Sequence, residues 1–328
     1  MTGAVLALAV AFLAAFCRSD SAGIGRGSQP GAVAPPTPGS PPAYAPTPGQ
    51  APDAPTPGLP FPGTPDLGSP ALGPHYPVGV RTLALSRGAD RKLRTLVFYP
   101  AAAPASSGTA GRRGQAIKPH RNASSAPGRF PLVLFSHGLR GTPERYAPAA
   151  ASWAAAGFVV AAPAYPHTNE HAKRYTRADL VNQPRDAAYV IKKVRRLDSK
   201  TGDPLNGHID VDRVAAVGHS AGGYTTTGLF TGRHPKWLRA GVVIAGWLAP
   251  GAFAGPPATM LFLQGDHDTV VPLARGQAAY DAVPWVKSSV LLPHSGHADY
   301  MVPGGRAYPE MDSLVIDFLR WTLAGDVE

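Results

Sequence analysis

The sequence predicts an α/β fold, a mainly parallel sheet of eight strands flanked by helices. Two observations carry this. Short runs at 131–136, 158–162, 214–218, 241–245 and 260–264 are apolar but for the terminal Ser136 and Gln264, as expected of strands covered on both faces. Between and after them, apolar residues recur every three or four positions, at Ala187, Val190, Ile191, Val194 and Leu197 and again at Met311, Leu314, Val315, Phe318 and Leu319, the spacing of one helical face. The runs at 78–86 and 93–99 read as an opening antiparallel pair, and 289–292 as the last strand. A loop over 101–128, rich in Ala, Ser, Pro and Gly, separates the opening pair from the next strand.

The chain has 328 residues with 37 Gly and 37 Pro, and 17 of the prolines fall between Pro30 and Pro77. Residues 36–39, 46–49 and 55–58 repeat Pro-Thr-Pro-Gly, with too few large apolar groups to offset the entropy of ordering. The expected organisation is therefore a signal-like segment at 1–22, a disordered tether at 23–75 and one folded domain at 76–328. About 250 residues suit a single core. Residues 4–17 form an apolar run of 14, long enough for an export signal but short of a membrane span. Cys17 stands where a lipidated cysteine would tether the chain to a membrane, and otherwise leaves with the signal. As the only cysteine, it excludes an internal disulfide framework and thiolate zinc. The expected location is secreted or anchored to the cell envelope.

The formal net charge is +10, and two arginines against three aspartates in residues 1–75 leave +11 for the domain. Its densest cluster, Lys192, Lys193, Arg195 and Arg196, lies on the polar face of an expected helix and reads as solvated surface. Neither a nucleic-acid partner nor a cofactor is expected, and the domain is expected to be a monomer.

Chemistry gathers at the carboxyl ends of the expected strands, where open parallel sheets bind ligands. After 214–218 comes Gly218-His219-Ser220-Ala221-Gly222-Gly223 and then a helical stretch, the context of a nucleophile elbow. A serine needs a base and a third group to orient it. Asp266 and Asp268 follow one later strand, His294 and His297 the next, giving the order serine, acid, histidine. Asp268 and His297 are the favoured pair. The expected oxyanion donors are the backbone N–H groups of Ala221 and of Leu139, in the loop His137-Gly138-Leu139-Arg140-Gly141.

With Phe135-Ser136-His137-Gly138-Leu139, Ala156-Gly157-Phe158-Val159-Val160-Ala161-Ala162 and this elbow, the chain resembles the serine α/β-hydrolases, specifically platelet-activating-factor acetylhydrolase-like and dienelactone-hydrolase-like esterases. Bacterial cutinases and polyester hydrolases are relatives with an acid segment similar to Asp268-Thr269-Val270-Val271-Pro272. The resemblance spans roughly residues 76–325 and implies a serine carboxylester hydrolase. Dienelactone hydrolases carry cysteine where this chain has Ser220, and polyester hydrolases carry an aromatic residue and a methionine where it has Leu139 and Ala221.

His167-Thr168-Asn169-Glu170-His171 matches a zinc-peptidase pattern, but Pro163 and Pro166 favour a loop, and no metal site is expected. Only a dozen residues separate Trp247 from the strand at Met260, too few for a large lid, so the cleft should be open. Trp247, Tyr165 and Tyr300 are the expected substrate contacts, suited to short-acyl, aryl or surface-presented esters. A secreted peptidase or amidase of the same fold, or a tethered envelope-binding module without activity, are the alternatives.

Overall fold

The computed structural model describes residues 75–102 and 117–324. The signal-like segment, Cys17 and all of the proline-rich stretch except His75 lie outside them.

The strands, in chain order, are β1 (Val78–Arg87), β2 (Arg91–Pro100), β3 (His120–Arg121), β4 (Phe130–Ser136), β5 (Val159–Pro163), β6 (Ile209–His219), β7 (Gly232–Arg233), β8 (Leu238–Ile244), β9 (Phe253–Ala254), β10 (Thr259–Gly265) and β11 (Lys287–Leu292). Helices α1 (Ala147–Ala155), α2 (Gln183–Arg195), α3 (Ala221–Phe230), α4 (Leu273–Ala282) and α5 (Tyr308–Leu319) follow β4, β5, β6, β10 and β11 respectively. The main sheet runs β11-β10-β8-β6-β4-β5-β2-β1-β3, with only β2 antiparallel to its neighbours β1 and β5. All eight expected strands are present. The ninth is two residues of the loop after β2, which pair with Gly79 and Val80 because β1 would otherwise end the sheet. Since β2 runs against β5, that loop leaves from the amino ends of the parallel strands, away from the chemistry.

Alternation along each central strand divides the core. Val133 and Phe135 of β4 and Ala215 and Val217 of β6 pack in one layer with Trp153 of α1 and Met311, Val315 and Leu319 of α5. Leu132, Leu134, Val214 and Ala216 point the other way, into a layer with Val190, Ile191 and Val194 of α2, Phe230 of α3 and Ala279 of α4. The sheet is thus covered on both faces. Arg195 departs from the solvated helix face expected of it. Its guanidinium stacks 4.1 Å from the centroid of the Trp237 ring and its Nε–H donates to the Val211 carbonyl at 2.7 Å. No helix of the described residues is long and apolar enough to cross a membrane.

One half-buried acid links α1 to α5. Asp312 accepts hydrogen bonds from Ser152 Oγ at 2.5 Å and Trp153 Nε1 at 2.9 Å, and burial outweighs both, pushing its carboxyl up to about 6. Between the ordinary carboxylate value and that value the folded state binds more protons than the unfolded state, so stability falls as pH rises through this window and levels off above it. Asp312→Asn offers an acceptor to Trp153 and a donor to Ser152 without the charge. It should raise the melting temperature above pH 6 and flatten this part of the profile, which thermal scans across the acid range would measure.

Candidate active site

β6 delivers the chain to Ser220 at the carboxyl edge of the sheet, and the backbone there turns at φ 58, ψ −119 before entering α3. This left-handed, strained geometry is uncommon for a residue with a side chain and marks functional turns. It persists because its surroundings over-determine it. The Ser220 amide donates to the Ile244 carbonyl at 2.8 Å, and the Ser220 carbonyl accepts from the amides of Gly223 and Tyr224. The small residues are obligatory: a β-carbon on Gly218 would lie 2.0 Å from the Gly222 oxygen, and one on Gly222 would lie 1.8 Å from the Ser136 oxygen. Gly222→Ala should therefore abolish soluble expression or leave a protein that no longer labels at Ser220 with a fluorophosphonate probe.

The structure brings the two downstream loops together. His297 Nδ1–H donates to Asp268 Oδ2 at 2.8 Å, with the Asp268 carboxylate fully buried. Asp268 Oδ1 accepts the amides of Val270 and Val271, each at 2.9 Å. Burial pushes this carboxyl up, but the His297 bond and the two amides outweigh it, so its pKa lies below the ordinary value and it stays ionised at neutral pH. The His297 ring lies 4.8 Å from that of His219, the residue directly before the serine. Ser220 Oγ makes no hydrogen bond among the described residues, and serine–histidine bonds commonly tighten only when substrate binds.

Asp266 does something else. Its Oδ1 accepts from His267 Nδ1 at 2.6 Å and from the Ser295 amide at 3.1 Å. The His267 bond is the largest of the influences that bring its carboxyl down to about 2. It braces the acid loop against the histidine loop, rather than only its own turn. His267 and His294 are exposed, with ring centroids 5.9 Å apart. Asp266, His267 and His294 are also the group, among the described residues, that could offer three ligand atoms to a cation.

The loop after β4 passes directly over the serine, since a β-carbon on Gly138 would lie 3.2 Å from Ser220 Cβ. The Arg140 amide donates to the Thr168 carbonyl and the Gly141 amide to the Gly138 carbonyl. The Leu139 and Ala221 amides donate to no protein acceptor among the described residues, which leaves both available to an oxyanion.

His137, to which the motifs assign no role, anchors this loop. Its Nδ1–H donates to the Gly138 carbonyl at 2.7 Å and its Nε2 accepts the Tyr165 amide at 3.2 Å. Complete burial brings its pKa down to about 4, so it is neutral and can do both. Gln183 is a second unforeseen anchor, donating to Thr168 and accepting from Thr225 of α3, each at 2.6 Å.

The expected substrate contacts need correction. Tyr165 and Tyr300 are both 0% exposed and offer a substrate no surface. Tyr165 instead hydrogen-bonds Ser136 through its hydroxyl at 2.7 Å, and the Tyr300 ring packs 6.1 Å from His219. Trp247 is half-buried with its ring 5.8 Å from Tyr224, on the first turns of α3. His167–His171 forms turns rather than a helix, so its two histidines share no helical face.

A family model described as platelet-activating factor acetylhydrolase, isoform II, matches residues 113–202. That is less than a third of the chain, yet it contains β4, the Leu139 loop, α1, β5 and α2 in their observed order. Joined to the sheet order, it supports one fold. The chain has the α/β-hydrolase fold, and over this segment it is similar to the platelet-activating factor acetylhydrolases. No curated protein matches it significantly. The hydrolase family supports hydrolase activity of the serine-esterase kind, and the matched segment ends before the elbow, so Ser220, Asp268 and His297 rest on their own geometry.

Proposed function

We propose that this α/β-hydrolase is an exported serine carboxylester hydrolase acting through an acyl-enzyme on short-acyl, aryl or surface-presented esters. The observation that carries the reading is the His297–Asp268 hydrogen bond beside a strained serine turn and two uncommitted amides.

In this reading Ser220 Oγ attacks the ester carbonyl and His297 Nε2 takes its proton, while Nδ1–H stays on Asp268. The negative oxygen of the tetrahedral intermediate accepts from the Leu139 and Ala221 amides, at the amino end of α3, where the helix dipole adds to them. Collapse breaks the bond to the leaving oxygen, which receives the proton from His297. A water then attacks the acyl group, losing its proton to His297, and Ser220 departs with that proton.

What surrounds the serine supports this substrate class. The stretch between β8 and β10 carries only the two-residue β9, which pairs with β7, so no lid is built there. The half-buried Trp247, packed against Tyr224, suits a flat or short acyl group, and export accords with the apolar run at residues 4–17. The test is a chromogenic ester series of increasing acyl length, with matching anilides, on the full chain and on Ser220→Ala. Ester turnover dominated by short chains supports the reading. Anilide cleavage as fast as ester cleavage would replace it with an amidase.

A further inference from the structure

The Ser220–His297 distance depends on the backbone of the loop that carries His297, and one buried side chain reaches that backbone from the elbow. His219 Nε2 lies 2.8 Å from the His297 carbonyl oxygen, and His219 Nδ1 lies 3.1 Å from the Tyr146 hydroxyl. The two bonds select one tautomer. A carbonyl only accepts, so Nε2 carries the proton; Nδ1 is then the acceptor and Tyr146 the donor. Burial, followed by the neighbouring His297, brings the His219 pKa down to about 3, which keeps the ring neutral through the working range.

Tyr146 extends the connection to the third loop of the site. A β-carbon on Gly141 would lie 2.9 Å from its ring, and one on Gly138 would lie 3.5 Å from His219 Nδ1. The turn that presents the Leu139 amide, the residue before the nucleophile and the carbonyl of the histidine therefore meet at one pair of side chains.

We propose that His219, oriented by Tyr146, is a positioning residue that holds the His297 loop in register with the serine elbow and the Leu139 turn. It touches no reacting atom, and the proposal rests on the esterase reading only in assigning His297 as the base. Without the Nε2 donor the partly buried His297 carbonyl loses its hydrogen-bond partner, and the loop relaxes toward water to satisfy it. A displacement of about 1 Å at a base costs on the order of 10²-fold in turnover.

The test compares His219→Leu, His219→Gln and Tyr146→Phe in the full chain. Glutamine places a donor N–H the same number of bonds from the backbone as His219 Nε2. Phenylalanine keeps the Tyr146 ring and removes the hydroxyl that fixes the tautomer. Three readouts are taken: melting temperature, separate kcat and KM on one aryl ester, and the low-field proton signal of the His297 Nδ1–H bonded to Asp268, assigned by its loss in His297→Gln. His219→Leu is expected to lower kcat about 10²-fold with KM little changed, and to broaden the proton signal through exchange. His219→Gln should restore the signal and most of kcat, and Tyr146→Phe should lower kcat about fivefold.

A folded His219→Leu protein with parental kcat and a sharp signal would overturn the proposal, as would equal loss in the leucine and glutamine variants. If the leucine variant does not fold, Tyr146→Phe decides, and a parental signal and kcat there count against it. The proton signal reports the loop whichever substrate the site takes. Full activity in Ser220→Ala would therefore sink the esterase reading without touching this one.

Discussion

Replacing Ser220 by alanine should lower kcat on a short aryl ester by about 10⁶-fold while leaving the fold unchanged. The chemical half follows from the role: without Oγ there is no acyl-enzyme, and the uncommitted amides of Leu139 and Ala221 have only direct water attack to assist. The structural half follows from the surroundings of Ser220. Ser220 Oγ makes no hydrogen bond among the described residues, so its removal leaves no partner unpaired, and the shift in stability should stay within about 0.5 kcal/mol. Alanine keeps a β-carbon and so keeps the strained turn at φ 58, which makes the variant a fair control rather than a relaxed one. Combining it with His297→Ala should cost nothing further, because residues that act as a unit are not additive. Single-turnover assays of the single and double variants, with fluorophosphonate labelling as a second readout, check both halves. A second nucleophile would appear as ester turnover and labelling that survive in Ser220→Ala.

The residues legible in the sequence are those whose chemistry depends on chain-local geometry. Gly218, Gly222 and Gly223 signal the elbow because backbone from the next strand or helix lies where their side chains would be, and a local glycine pattern records that constraint directly. The central strands were legible for the same kind of reason, since burial on both faces demands unbroken apolar runs. His137 and His219 were not, although both sit inside recognisable motifs. Their roles depend on which carbonyl or amide a distant loop presents, at Tyr165 and at His297, and no spacing rule encodes that. Tyr165 and Tyr300 failed for the converse reason. An aromatic residue after a strand end can face the cleft or fill the core beneath it, and the packing of the facing layers decides. The two-residue β3 was invisible because nothing in His120–Arg121 has strand character, and it pairs only because the first strand's edge is open.

Asp268→Asn should reduce kcat by about 10⁴-fold, and Asp266→Asn should leave turnover near the parental value. The surroundings of Asp268 determine how the asparagine must sit. The amides of Val270 and Val271 both donate to Oδ1, so the amide oxygen of asparagine takes that place and its NH₂ group faces His297. Histidine must then present a lone pair at Nδ1 and carry its proton on Nε2, the nitrogen that should accept from Ser220. The base is present, correctly placed and in the wrong tautomer. In the parent, Asp268 is held ionised below the ordinary carboxylate range, so its own protonation does not shape the activity profile at neutral pH. In Asp268→Asn the histidine no longer serves as base and attack depends on hydroxide, so kcat/KM should keep climbing across the alkaline range. Asp266→Asn keeps an oxygen for the Ser295 amide and loses only a charge beside the exposed His267, which affects the brace between the loops and not the proton path. Profiles of both variants on one aryl ester from about pH 5 to 9 decide between the two acids. An inactive Asp266→Asn beside a near-normal Asp268→Asn would transfer the role to Asp266 and make the His297–Asp268 bond a structural one.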